Sequence, residues 1–264
     1  MVARKGESRG GSMKKVVLAV VALVSSVNVA VMAQQKTAGQ KEMSVEESFL
    51  QESVELMVIR EQSRAESRDM KLVALEYIGD AIKAGRTGPE IQKALEYLAL
   101  EGIVNISREG GMNGRITNNF PDVRAKAAQY LGDLGTPEAK ATLKKLLIAE
   151  NEPMVLVETI KSLSRIKDAG DEDTTAAIAW VVTRFDILNP DNLLALAAVD
   201  AYEKIAEANG GLKDPSAIRA IIRIAEGPYI RPVQARAREV LNNLRKYNNQ
   251  NSGNSSQNSS NSKK

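Results

Sequence analysis

The 264-residue chain contains no cysteine and no histidine. Without cysteine there is no disulfide, no thiolate zinc site and no lipid-tethering cysteine. Without histidine the usual general base and the commonest metal ligand are missing, so Ser–His and Cys–His nucleophile systems are impossible. Aromatic residues make up only 4% of a chain that is 43% apolar, and there is a single Trp. Such a core is built from many small Ala, Leu, Ile and Val contacts, as in stacked helical repeats, and not from a few large anchors. Long apolar runs are scarce as well. The longest, Val16–Val24, is broken by Ser25, Ser26 and Asn28, short of the ~20 apolar residues a membrane-spanning helix needs.

That run has a different reading. Lys14-Lys15, Val16–Val24 and then Val31-Met32-Ala33 before Gln34 have the order of an export signal: basic start, apolar centre, small residues at the cleavage point. Residues 1–33 are therefore expected to be a signal peptide cleaved between Ala33 and Gln34. Met13 is a candidate initiator, and residues 1–12 would then lie upstream of it. A retained anchor is the competing reading. The formal charge of +3 belongs mostly to this segment, where five Lys and Arg face one Glu, and the remainder from Gln34 is near −1. A nucleic-acid-binding surface is not indicated.

The body of the chain is helical in pattern. In Pro121–Leu147, Val123, Ala127, Ala128, Leu131 and Leu134 form one apolar stripe of a 3.6-residue helix. Ala139, Leu143, Leu146 and Leu147 form a second. Pro121 suits a first helical position, Gly135 a left-handed turn, and Thr136-Pro137-Glu138 the cap and start of the next helix. Gly132 is expected to let these two helices approach closely. One such hairpin cannot bury its own apolar faces and requires copies beside it.

The copies are present. After a polar leader at 34–43, Ser44 and Glu47 have capping-box spacing. A helix carrying Phe49, Leu50, Val54, Met57 and Val58 follows, expected to cap one end of the stack. Leu72, Leu75, Ile78 and Ile82 pair with Ile91, Leu95 and Leu98. Leu156, Ile160, Leu163 and Ile166 pair with Ile178, Val181, Val182 and Phe185. Val199, Tyr202 and Ile205 pair with Ile218, Ile221, Ile222 and Ala225, and a last helix carries Val233, Ala237, Leu241 and Leu244. The equivalent positions Ile78, Leu131, Leu163, Tyr202 and Leu241 are separated by 53, 32, 39 and 39 residues. The long first step fits an insertion loop at 105–119, too polar and glycine-rich for a helix. Proline recurs near the start of each unit, at Pro121, Pro153, Pro190 and Pro232. The Asn/Ser-rich segment 247–264 has too little apolar content to order itself and reads as disordered.

Val123-Arg124, Ala127-Ala128, Leu131-Gly132, Leu134-Gly135, Pro137-Glu138-Ala139, Leu143 and Leu146-Leu147 resemble one unit of the HEAT repeat, in the short bacterial variant called HEAT-like or PBS-lyase-like. The likeness runs from about Arg68 to Lys246. It is weakest in the first unit, which lacks the Val-Arg pair. It implies an all-α, right-handed α-solenoid of four to five hairpins over 44–246, with an N-terminal capping helix and a surface that binds other macromolecules. Arg124 matches the family's arginine, which bridges neighbouring repeats. Some relatives are DNA glycosylases or phycobilin lyases, chemistries that export and near-neutral charge disfavour here.

No catalytic constellation stands out. Asp168, Asp171, Glu172 and Asp173 form an acidic turn without the spacing of a calcium loop and read as a helix cap. No metal ligand set and no cofactor site is expected. The candidate protein-binding residues are Arg108 and Arg115 on the insertion loop and Arg219, Arg223, Arg231 and Arg238 near the C-terminal end, with Arg236 and Arg245 beside them. These imply an exported, non-catalytic scaffold that binds a protein in the bacterial envelope. A binder of cell-wall glycan, or a hydrolase using a carboxylate pair, is the alternative.

Overall fold

A computed structural model of the chain describes residues 44–167 and 170–258. The signal-peptide and leader readings over 1–43, Asp168 of the acidic turn and the last six residues lie outside these. The chain divides into two compact units, 1–52 and 53–264, with the boundary inside the first helix. The described residues form ten helices and no strand: α1 (Val45–Ser63), α2 (Arg68–Lys83), α3 (Pro89–Leu100), α4 (Pro121–Leu134), α5 (Pro137–Ala149), α6 (Pro153–Arg165), α7 (Glu172–Leu188), α8 (Asn192–Asn209), α9 (Pro215–Glu226) and α10 (Arg231–Asn258).

In the second unit these helices make two layers. α2, α4, α6, α8 and α10 each pack on the next to form one layer, and α3, α5, α7 and α9 do the same to form the other. This is the arrangement expected of helical hairpins stacked in order. The local causes are visible at the helix ends. Proline opens α3, α4, α5, α6 and α9, where its missing N–H costs nothing. The Thr136 hydroxyl accepts from the Ala139 N–H at 3.0 Å, and Asp171, Asp191 and Asp214 cap α7, α8 and α9 in the same way. Gly135, at φ 63°, ends α4 in the left-handed conformation.

The core runs through the stack as one cluster and holds Ile78, Leu131, Leu163 and Tyr202 at the equivalent positions, with Leu241 packed against it. Each fully buried Leu or Ile contributes roughly 1.5–3 kcal/mol. Three expectations are corrected. Gly132 serves the neighbouring repeat, not its own hairpin: a Cβ there would lie 2.6 Å from the Ser162 Cβ of α6. Gly79 of α2 does the same for Tyr130 of α4, whose hydroxyl occupies the place a Cβ would take. The stripe Leu50, Val54 and Met57 of α1 is exposed, and from Ser53 onward the helix packs through Leu56 and Ile59. Apolar residues lie all round α1, so periodicity alone could not choose the inward face. Ile222, expected in the core, is 40% exposed because it flanks the buried face of α9, which Ala217, Ala220, Ile221, Ile224 and Ala225 form.

The backbone of α10 continues past Lys246 to Asn258, into the segment whose composition suggested disorder. Extending a formed helix needs no new nucleus, so weak helix formers can follow a stable start.

Candidate interaction surface

The insertion between α3 and α4 is a hairpin, not an open loop. Arg108 and Ile116 face each other across an antiparallel bridge, and the Glu109 N–H donates to the Arg115 carbonyl at 3.0 Å. Asn118, buried at the base, accepts from the Ser107 N–H and donates to the Asn105 carbonyl at 2.8 Å. Gly102, at φ 77°, lies against the Asn118 carbonyl, where any side chain would collide.

This base rests on two buried ion pairs. Lys71 of α2, with no exposed surface, meets Glu101 at 2.9 Å and donates to the Ser63 carbonyl. Arg124 of α4 grips Glu150 through Nε at 2.6 Å and Nη2 at 3.3 Å, and reaches Asn119 and the Glu101 carbonyl through Nη1. Glu150 also accepts the N–H groups of Asn151 and Glu152, so its lone pairs are used. Burial, reinforced by the Glu101 carboxylate, pushes the Tyr97 phenol pKa up. Lys71 was missed in the sequence, although it lies 53 residues before Arg124, the same step that relates Ile78 to Leu131. The sequence signal was obscured because the first unit has Met70-Lys71 where the second has Val123-Arg124.

Exposed apolar side chains are distributed unevenly over the two edges of the stack. One edge gathers the C-terminal ends of α3, α5, α7 and α9 and the N-terminal ends of α4, α6, α8 and α10. It carries Met112 of the hairpin, 92% exposed, with Ile148, Met154, Ile187, Leu193 and Ile230. The opposite edge, made by the turns at 84–88, 135–136, 166–171 and 210–214, exposes no large apolar side chain among the described residues. Met154 and Leu193 hold equivalent places, 39 residues apart, and line a groove of 520 Å³ with Val157, Lys126, Lys161 and Asp191.

The six arginines do not form one site. Arg108 donates to the Gly114 carbonyl and Arg115 lies 3.8 Å from Glu109, both on the exposed hairpin. Arg219 and Arg223 share a groove between α7 and α9; Arg223 is paired with Asp186. Arg231 is exposed at the start of α10, and Arg238 donates to the Ala225 carbonyl at the end of α9. Arg236 is fully engaged by Asp200, Glu203 and Glu239. Burial works against its charge, and these hydrogen bonds more than offset it, so its pKa is raised. The acidic turn behaves as a cap: Asp171 holds the start of α7 and pairs with Lys140, and Asp173 lies 3.6 Å from Lys144. Among the described residues no cluster of acidic side chains is placed to hold a metal ion, and no helix is long and apolar enough to cross a membrane.

No curated protein and no solved structure matches the chain. The family model for HEAT repeats matches residues 113–201, which run from the tip of the hairpin through α4, α5, α6 and α7 into α8, and this stretch of stacked hairpins is therefore similar to HEAT repeats.

Proposed function

We propose that the protein is a non-catalytic scaffold that binds another protein along the edge bearing Met154 and Leu193. In this reading residues 1–33 direct it to the bacterial envelope, and the stack winds as a right-handed solenoid. The observation that carries the proposal is the exposure of large apolar side chains at one edge and not at the other, with Met154 and Leu193 lining a common groove, since grouped exposed apolar side chains mark a place where something docks. The ordered hairpin at the same edge, held on buried ion pairs, adds a surface that needs little ordering on binding. HEAT repeats commonly mediate protein–protein contacts, which accords with this reading.

The test is photo-crosslinking in cells from position 154 or 193, with position 136 on the opposite edge as control. A reproducible protein adduct from the first two and none from the control, with the adduct from position 154 lost on Leu193→Glu, is the expected result. Equal adducts from both edges, or recovery only on cell-wall polymer, would overturn the proposal. The mature N-terminal residue, read by mass spectrometry, tests export: Gln34 is expected, and an intact start would refute cleavage.

A further inference from the structure

We infer that the groove between α7 and α9 is a second docking site, taking an acidic helical segment of a partner protein that carries large apolar side chains. The groove has a volume of 660 Å³ and is separate from the Met154–Leu193 edge. Its anchor is Trp180, the one tryptophan of the chain, 48% exposed in the middle of α7. The Arg184 guanidinium stacks on this ring at 4.7 Å, and the same guanidinium donates to the Glu150 carbonyl at 2.7 Å. The indole is thus held in place before any partner arrives, which lowers the entropy cost of using it. Exposed tryptophan and arginine side chains are the residue types that dominate binding energy at interfaces.

The remaining lining decides the chemistry of the occupant. Ile222 faces the groove from α9, and Ala176, Ala179 and Ala220 are small enough to let another backbone come close. The polar groups that could serve a glycan are already committed: Thr183 donates to the Ala179 carbonyl and the Ser216 hydroxyl to Asp214. A sugar polymer needs a convergent array of hydrogen-bonding groups that this surface does not offer. An extended peptide would need backbone partners, and the backbones of α7 and α9 are already paired within their own helices. A helix brings its own backbone hydrogen bonds and fits between two neighbouring helices, as ridges fit grooves.

Charge selects an acidic one. Arg219, Arg223 and Glu226 line the groove, and Asp186 pairs with Arg223, which leaves Arg219 as its uncommitted guanidinium. Arg219 is exposed and makes no hydrogen bond or ion pair among the described residues, its charge acting only at longer range on Asp214, while Arg223 keeps 46% of its side chain exposed beside Asp186. Guanidinium groups at the rim of an apolar groove pair well with carboxylates flanking an apolar anchor.

The experiment uses the full chain and Trp180 fluorescence, with an acetylated and amidated helical peptide of Glu, Ala and Leu, free of aromatics, as the probe. Because the chain has one tryptophan, emission excited selectively at the indole, away from the six tyrosines, reports on this groove. A saturable spectral shift is expected, weakened by salt, reduced about tenfold in affinity by Arg219→Glu, as for one lost interfacial charge pair, and largely retained in Arg219→Lys. The same peptide with Lys for Glu should leave the signal unchanged. Arg219 is exposed, and circular dichroism of each variant confirms that it folds. No saturable shift, an equal shift with the Lys peptide, undiminished binding by Arg219→Glu, or a response only to cell-wall oligosaccharide would overturn the inference. Leu193→Glu should leave peptide binding intact, so failure of the groove and failure of the edge are told apart.

Discussion

The first two hairpins and the next two solve the same packing problem with different chemistry. At one position of the first helix of each unit, the first two hairpins place Lys71 and Arg124, both buried, and the next two place Leu156 and Ala195, also buried. The residue that ends the second helix changes in step: Glu101 and Glu150 in the first two, Asn189 and Gly227 in the next two. Cation and carboxylate thus occur together or not at all. A buried charge without its partner costs more than an apolar side chain, so the two positions are constrained jointly. The ionic pairs also do something the apolar ones do not. They tie the ends of α3 and α5 to the base of the 101–120 hairpin, whereas the apolar half has short connections with nothing to hold.

The strongest way to break this contrast is to remove one partner. Arg124→Ala, leaving the Glu150 carboxylate buried, should destabilise by about 3–5 kcal/mol in denaturant titration. The joint change Arg124→Leu with Glu150→Asn, which gives the second hairpin the residues of the third, should recover most of that loss. If the double variant is as damaged as the single one, the ion pair is stabilising in its own right and the two halves differ in energetics as well as in chemistry. Gly132→Ala tests the packing of the second hairpin on the third. Its methyl group would press on Ser162, and a loss of about 1–3 kcal/mol is expected from overpacking. A smaller effect, about 1 kcal/mol, should follow Thr136→Ala, which removes the cap of α5.

The smallest effect concerns acid and lies in the apolar half. Asp171, Glu203 and Asp214 each have a lowered pKa. Burial alone would raise all three; hydrogen bonds from Lys140 and Thr174, from Asn243 and Arg236, and from Ser216 respectively more than offset it. Each carboxyl binds its proton more weakly folded than unfolded. Its contribution is present above the ordinary carboxylate range and fades as pH falls through and below that range. Thermal melts of wild type should therefore drop below that range, and Asp214→Asn should flatten the acid limb slightly. An unchanged limb in that variant would show that the α9 cap adds nothing to acid sensitivity.

Legibility varied with the kind of interaction. The helices of Pro121–Leu147 were readable because proline, threonine and glycine act on the backbone within a few residues of themselves. The partners of Gly132 and Gly79 were not, since a glycine shows that something comes close without saying what. Arg124 was read as a bridge between repeats, and it does reach the Glu101 carbonyl of the preceding unit. Its counterpart Lys71 was overlooked because the flanking residues differ. The arginines near the C-terminal end were visible as a cluster in the sequence. The structure separates them, since Arg223, Arg236 and Arg238 are committed to Asp186, to Asp200 and Glu203, and to the Ala225 carbonyl, and only Arg219 and Arg223 face one groove.

By itself the amino-acid sequence determined that this protein is a series of paired amphipathic helices, where most of them begin, and that histidine- and cysteine-based chemistries are closed to it. These follow from local backbone preferences and from the period of the apolar residues. Only the tertiary structure decided which edge is left apolar, which charges are buried in pairs, and that Trp180 stands beside Arg219 and Ile222. Those facts depend on the angle at which each hairpin meets the next, a quantity set by the sum of many side-chain contacts between residues distant in the chain.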